Sequence, residues 1–415
     1  MNISSTQDAV IKREEQYGSH NYHPLPVVLK KGEGVHVWDL DGKRYYDFLS
    51  AYSAVNQGHC HPKIIAALVE QAQTLTLTSR AFHNNLLGEY AKFITEFFGF
   101  DRLLPMNTGV EGGETAIKLA RRWGYDAKGI TPGKARVVFA KGNFWGRTIA
   151  AISTSDDSSS TGGFGPLCPG FNNVPYDDSE ALKAELEGPG GEDICAFFVE
   201  PIQGEAGVVV PSDGYLRRVK DLCEKHKILF ICDEVQTGLA RCGTMLASDH
   251  DGVKPDLLVL GKALFAYFRS PQCWDPTRPG EHGSTYGGIP LACKVATAAL
   301  EAWWRTPKPA ANSYEQASTN WPGSPISLAR GRGLLNAIVI GGNGGNYSEE
   351  GVAWQLCERI AENGPLAKPT HGNIIRFAPP LIITAPQIDD CVRIIERSID
   401  SLWDTPMNFL SYYFY

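Results

Sequence analysis

Short, wholly apolar runs separated by helix-length segments recur between residues 103 and 260, and this alternation limits the possible folds more than any other feature of the chain. Residues 228–232 read Ile-Leu-Phe-Ile-Cys and residues 257–260 read Leu-Leu-Val-Leu, each bounded by turn signals. Runs of this length without polar alternation are what strands buried on both faces look like, and such strands belong to parallel sheets covered by helices. Residues 136–140 and 196–199 are two more, and residues 215–226 have the helical spacing of a crossover helix. The expected fold class is therefore α/β, with a large doubly wound, mostly parallel sheet.

Two of the runs end in a single ionisable residue each, Asp233 and Lys262. Ligands of open α/β sheets lie beyond the carboxyl ends of the strands, so this acid and this amine would face a common crevice. The pair suits pyridoxal phosphate, whose aldehyde joins a Lys and whose pyridine nitrogen is kept protonated by a carboxylate. A turn-capping acid and a solvated surface amine are the other reading of the same two residues, since any sheet has charged strand ends.

Other candidates flank this pair. Thr108 and Glu111 form a capping-box pattern at the start of a helix through Arg122, so the amides of Gly109 and Val110 are offered to an anion such as phosphate. An ordinary capped helix gives the same pattern. In Gly142-Asn-Phe-Trp-Gly-Arg147, Phe144 and Trp145 could lie flat on a planar cofactor and Arg147 could fork onto a carboxylate, although aromatics beside a loop also serve as core. Glu200 closes the 196–199 run and leads through Pro-Ile-Gln-Gly to Glu205, while the Gly-rich loop 279–288 brings hydroxyls that could reach a phosphate.

Composition narrows the function classes. The chain has 415 residues, 43% hydrophobic and 20% charged, as in ordinary globular proteins, and its net charge of -7 argues against a nucleic-acid footprint. Ten cysteines without a Cys-x-x-Cys pair fit reduced thiols. Metal ligands crowd only at His59-Cys60-His61, with no second cluster, so no metal is expected. No apolar run approaches the length that spans a bilayer, and residues 1–16 show neither an apolar signal region nor an Arg-rich presequence, which makes the cytosol the expected compartment.

Elsewhere the pattern predicts strands at 35–38 and 44–48 around Asp41-Gly42, helices at 64–75 and 86–98, a surface loop at 156–163 and a helix at 291–303. Residues 305–327 read as loop. A strand at 334–340, a turn region at 341–347, a helix at 352–363, a strand at 373–379 containing Arg376 and a helix at 385–402 point to a smaller α+β domain.

Taken in order, Asn107-Thr-Gly-Val-Glu111, Gly142-Asn-Phe-Trp-Gly-Arg147, Val199-Glu-Pro-Ile-Gln-Gly-Glu-Ala-Gly207, Cys232-Asp-Glu-Val-Gln-Thr-Gly238, Leu260-Gly-Lys-Ala263 and His282-Gly-Ser-Thr-Tyr-Gly-Gly288 resemble the motifs of class III pyridoxal-phosphate aminotransferases. The likeness covers about residues 17–262 and 279–402. It implies a fold-type I homodimer in which Lys262 carries the cofactor, Asp233 pairs with the ring nitrogen, Gly109 and Val110 bind the phosphate and Phe144 stacks on the ring. Gln236 would touch the phenolic oxygen, Ser284 and Thr285 would reach the phosphate across the subunit boundary, and Trp145 joins the cofactor contacts.

Residues 49–62 and 366–380 resemble the versions of these motifs found in the ornithine-acting members of the class, which implies a reaction moving the δ-amino group of L-ornithine to 2-oxoglutarate, with acetylornithine and 4-aminobutyrate as rival amines. Arg147 and Tyr22 would grip the ornithine α-carboxylate, Tyr52 would contact the α-amine, and Glu200 joins the substrate contacts. Arg376, neutralised by Glu205 in that half-reaction, would be released to bind the α-carboxylate of 2-oxoglutarate while Arg147 takes the distal one. The expected division is an N-terminal segment 1–52 packing with the small domain, a large cofactor-binding domain 53–295, a small domain 296–402 and a tail 403–415.

Residues 264–276 depart from the family. Bulky side chains stand where it has a Gly-rich turn and a returning strand, and the expectation is that they crowd Lys262 or delete a sheet strand, which would leave a catalytically impaired dimer partner. Residues 305–327 likewise replace a helix with a Pro-rich stretch, and 403–415 have no family counterpart.

Overall fold

The computed structural model describes residues 6–262, 266–269, 278–304, 326–341 and 349–404. The chain packs as two compact units, one formed by Tyr52–Ala54 and Pro62–Thr306, the other by Met1–Ala51, Val55–His61 and Pro307–Tyr415.

The larger unit is built on a seven-stranded sheet whose spatial order is Arg102–Leu104, Ala266–Arg269, Leu257–Leu260, Leu229–Asp233, Ile194–Val199, Arg136–Ala140 and Phe171–Val174. From Leu257–Leu260 to Phe171–Val174 every pairing is parallel. The central strands Leu257–Leu260, Leu229–Asp233 and Ile194–Val199 are buried throughout because helices cover both faces, and the period of two sorts their side chains. Phe197, Phe230, Leu258 and Leu260 pack with Tyr215, Leu216 and Val219 of the crossover helix Tyr215–Lys225. Phe198, Ile231, Leu257 and Val259 point the other way, onto Ala116, Leu119 and Ala120 of the helix Gly109–Asp126. That helix lies close to the sheet because Gly112 has no side chain, since a Cβ there would stand 2.8 Å from Val259 Cγ1.

Two expectations for this unit change. Residues 264–276 do not delete a strand: Ala266–Arg269 pairs antiparallel with both Leu257–Leu260 and Arg102–Leu104. Ladder hydrogen bonds are made by the backbone, so bulky residues can occupy it. The rest of that segment lies outside the described residues. The surface loop 156–163 contains one helical turn, Ser158–Thr161, capped by the Asp157 carboxylate on Ser159 N at 2.9 Å.

The smaller unit has two four-stranded sheets. In one, Leu29–Glu33, His36–Asp39 and Arg44–Asp47 run antiparallel and Pro365–Leu366 adds in parallel. The Asp41-Gly42 turn forms as its sequence dictates, Gly42 at φ +87° and Asp39 Oδ1 accepting from Asp41 N and Lys43 N. In the other, Ile326–Arg332 and Leu335–Ile340 make a hairpin next to Ile374–Phe377 and Lys368–Thr370. Residues 326 and 327, assigned to loop from sequence, therefore begin a strand; residues 305–325 lie outside the described residues. The helices are Gln7–Tyr17, Glu349–Asn363 and Ala385–Asp404, and the tail beyond Asp404 lies outside the described residues. No helix among the described residues is long and apolar enough to cross a membrane.

Candidate active site

At the carboxyl ends of the central strands lies a cavity of about 190 Å³, lined by Gly109, Val110, Phe144, Trp145, Gly146, Glu200, Asp233, Val235, Gln236 and Lys262. Sheet topology accounts for the convergence. Asp233 ends one strand, Lys262 follows its neighbour by two residues, and Glu200 follows the next strand over. The helix Gly109–Asp126 starts at the same edge with its capping box formed: Thr108 Oγ1 accepts from Glu111 N at 3.3 Å, and Glu111 Oε2 accepts from Thr108 N at 3.0 Å. The cap leaves the amides of Gly109 and Val110 without intrahelical acceptors, at the positive end of the helix. Both Gly109 and Gly261 are needed bare here, since a Cβ would stand 2.9 Å and 3.1 Å respectively from Val235 Cγ1.

Burial sets the electrostatics. Asp233 is pushed up to about 7, chiefly by desolvation, against the opposing pull of the Val235 amide, which donates to Oδ1 at 3.0 Å, and of the Lys262 charge. Glu200 is raised well above the usual carboxylate range by burial and then by the charge of Asp233. A cavity that disfavours two anions at once favours an occupant that brings positive charge to Asp233 and negative charge to the helix amides.

Glu200 is committed to backbone, its Oε2 accepting from Phe144 N at 3.1 Å and Oε1 from Gly204 N at 3.3 Å. It thereby holds the loop that carries Phe144. Trp145 is 5% exposed, donates from Nε1 to Thr154 Oγ1 at 2.9 Å and stacks on Phe139 with centroids 5.9 Å apart, so its indole is a fixed wall. Arg147 is exposed, lies 5.7 Å over the Phe144 ring and donates to Ser160 Oγ at 3.1 Å.

The remaining candidates do not line this cavity. Glu205 is half-buried and close enough for its charge to raise Glu200. Ser284 Oγ accepts from Asn107 Nδ2 at 2.6 Å, and Thr285 is exposed beside it. Tyr52 is 38% exposed on a turn, Ser50–Ser53, whose four residues all have left-handed φ, from +47° to +73°. In the smaller unit Tyr22 is 76% exposed in an irregular stretch, and Arg376 is buried in the strand Ile374–Phe377, opposite Ala337 and Lys368.

Sequence reasoning missed Val235, whose methyl groups form a cavity wall. Its signal is a lone apolar residue between Glu234 and Gln236 just past the strand end. It also missed the pair Asn143 and Thr154, buried and mutually hydrogen-bonded at 2.8 Å, which ties down the Phe144 loop.

Comparison with known proteins agrees with this geometry. The family model described as "Aminotransferase class-III" matches residues 17–399. A relative from Drosophila melanogaster, "Ornithine aminotransferase, mitochondrial", is 56% identical over 96% of this chain and 93% of its own. Among solved structures, an ornithine aminotransferase from Toxoplasma gondii, with partial occupancy of PLP at its active site, superposes with a TM-score of 0.89 at 42% identity, covering 96% of this chain and 95% of that one. An acetylornithine aminotransferase from Elizabethkingia anophelis gives 0.82 at 48% identity, covering 96% and 100%. With the family model spanning nearly the whole chain and the cavity built from the motif residues, the chain belongs to the class-III aminotransferases.

Proposed function

We propose that the protein transfers the δ-amino group of L-ornithine to 2-oxoglutarate, giving glutamate 5-semialdehyde and glutamate, with pyridoxal phosphate in the cavity of the larger unit. The observation that carries this reading is the meeting of Lys262, Asp233 and the unbonded amides of Gly109 and Val110 around one cavity. The residues fit the cofactor: Lys262 for its aldehyde, Asp233 for its ring nitrogen, Gln236 for its phenolic oxygen, the helix amides for its phosphate, and Phe144 and Val235 as apolar walls for its ring. Bound there, pyridoxal phosphate supplies an electron sink for the substrate carbon. Asp233, reluctant to be charged alone, keeps a proton on the ring nitrogen by becoming its counter-anion. Lys262 Nζ is placed to take a proton from the substrate carbon and return it. Glu200 and the Asn143–Thr154 pair hold Phe144 still while this happens.

Substrate recognition follows from the motifs. Arg147 and Tyr22 bind the α-carboxylate of ornithine and Tyr52 its α-amine, which leaves the distal amine to react. Glu205 neutralises Arg376 until 2-oxoglutarate arrives, when Arg376 takes the α-carboxylate and Arg147 the distal one. A guanidinium buried as Arg376 is requires an anion, which supports this exchange. The protein works as a homodimer, in which Ser284 and Thr285 complete the phosphate site across the subunit boundary; size-exclusion chromatography tests this. The sequence reading puts it in the cytosol, whereas the Drosophila relative is named mitochondrial, and cell fractionation decides between them.

Incubation with ornithine and 2-oxoglutarate, trapping the cyclised semialdehyde with o-aminobenzaldehyde, tests the activity. Faster turnover of acetylornithine would favour the neighbouring activity for which the Elizabethkingia structure is named, and faster turnover of 4-aminobutyrate a different amine preference within the class. Borohydride reduction and peptide mapping test the cofactor site, since a tag anywhere but Lys262, or none, removes the proposal.

A further inference from the structure

We infer that Asp47 and His59 are positioning residues for Tyr52, and that through it they set which amine of the substrate reacts. The inference rests on the proposed contact between Tyr52 and the substrate α-amine. The turn Ser50–Ser53 has φ values of +47°, +47°, +59° and +73°, and none of its residues is the glycine that adopts this region without cost. The buried hydroxyls of Ser50 and Ser53 have no hydrogen-bond partner among the described residues.

Asp47 braces the entry to the turn. Its Oδ1 accepts from Leu49 N at 2.9 Å and from Ser50 N at 2.8 Å, so one carboxylate oxygen gathers the amides that lead into the left-handed turn. The other oxygen, Oδ2, is held at 2.7 Å by His59 Nε2. His59 is itself fixed, by backbone bonds of 2.8 and 2.9 Å with Gly34 and by Gly32, where a Cβ would stand 2.7 Å from the ring. Asp47 sits at the end of the strand Arg44–Asp47, paired with Pro365–Leu366. The line of support runs from His59 to Asp47, to the turn amides, and to the backbone direction from which Tyr52 projects. Releasing Asp47 lets the turn relax towards ordinary φ and swings the phenol away from the α-amine, without touching the cofactor cavity.

The test uses the holoenzyme variants His59→Ala, His59→Gln, Asp47→Asn and Tyr52→Phe. They are compared on ornithine, on 5-aminopentanoate, which keeps the distal amine and carboxylate but lacks the α-amine, and on 2-oxoglutarate, with δ- and α-transfer products separated chromatographically. His59→Ala and Asp47→Asn are expected to raise KM for ornithine about tenfold and to increase the share of α-transfer, with KM for the other two substrates changed less than about twofold. His59→Gln, which still donates to Asp47, restores most of the loss. Equal changes on ornithine and 5-aminopentanoate, or none on either, overturn the inference. If Tyr52→Phe discriminates the two amines and the positioning variants do not, the inference alone falls. If Tyr52→Phe fails to discriminate, the proposed role of Tyr52 falls first and takes the inference with it. Should His59→Ala not accumulate, the near-isosteric Asp47→Asn carries the comparison.

Discussion

Replacing Asp233 with Asn should make the cofactor-free protein more stable at neutral pH while nearly abolishing turnover. An acid raised from 3.8 to about 7 binds its proton more tightly folded than unfolded. Between those two values the native state holds a proton that the unfolded chain has lost, so stability is full below the unfolded pKa and falls as pH rises to the folded one. The shift of about three units corresponds to about 4 kcal/mol, of which roughly 2.5 kcal/mol is lost between pH 5 and pH 8. Asn keeps an oxygen for the Val235 amide but introduces an amino group with no anionic role, and leaving that group without a partner costs about 1–3 kcal/mol. The net gain expected for Asp233→Asn is therefore about 1–3 kcal/mol at pH 8, shrinking or reversing at pH 5. Urea unfolding of stripped protein at both pH values and fixed concentration measures it. Turnover should fall on the order of 10²–10³-fold, because a neutral amide cannot serve as counter-anion to the ring nitrogen. A variant whose stability falls with pH as steeply as the wild type, or that is less stable at pH 8, would refute the argument that burial dominates at this carboxylate.

Three further outcomes follow from the same geometry. Gly109→Ala puts a Cβ 2.9 Å from Val235 Cγ1, so the cavity wall must shift; cofactor affinity, read by equilibrium dialysis, should weaken about tenfold with little change in thermal stability of the stripped protein. Thr154→Val leaves Trp145 Nε1 and Asn143 Oδ1 without their partner in a buried site, and should cost about 2–4 kcal/mol by chemical denaturation. Lys262→Ala should leave no borohydride-reducible attachment and no turnover while secondary structure, by circular dichroism, is unchanged.

The large sheet was legible because strands buried on both faces must be apolar throughout, and residues 194–199, 229–233 and 257–260 had no polar residue to blur the pattern until the ionisable group at the strand end. The capping box was legible because its chemistry lies within four residues. What escaped lacked local cause. The helix Gln7–Tyr17 buries no side chain and so carries no apolar stripe; its marks were the Thr6 cap and Gly18. Ile326–Arg332 is half-exposed, with Arg330 and Arg332 in it, and is a strand through its pairing with Leu335–Ile340. The left-handed turn at Tyr52 has neither Gly nor Asn to announce it, and the Asp47 carboxylate that braces its entry lies outside it.

The expected loss of a strand after Lys262 was misjudged because strand pairing is made by the backbone, whatever the side-chain bulk. Bulky residues were expected to delete a sheet strand there, yet Ala266–Arg269 pairs with Leu257–Leu260, Ala266 lying opposite Leu260. Lys262 itself takes the left-handed conformation, φ +53°. An unbranched side chain tolerates that region better than a β-branched one would. The returning strand is then locked on its far side by Arg102–Leu104, the segment that leads into the helix Gly109–Asp126. The strand that ends in Asp233, the strand that leads to Lys262 and the strand that leads to the helix Gly109–Asp126 are therefore joined in one continuous set of ladder pairings.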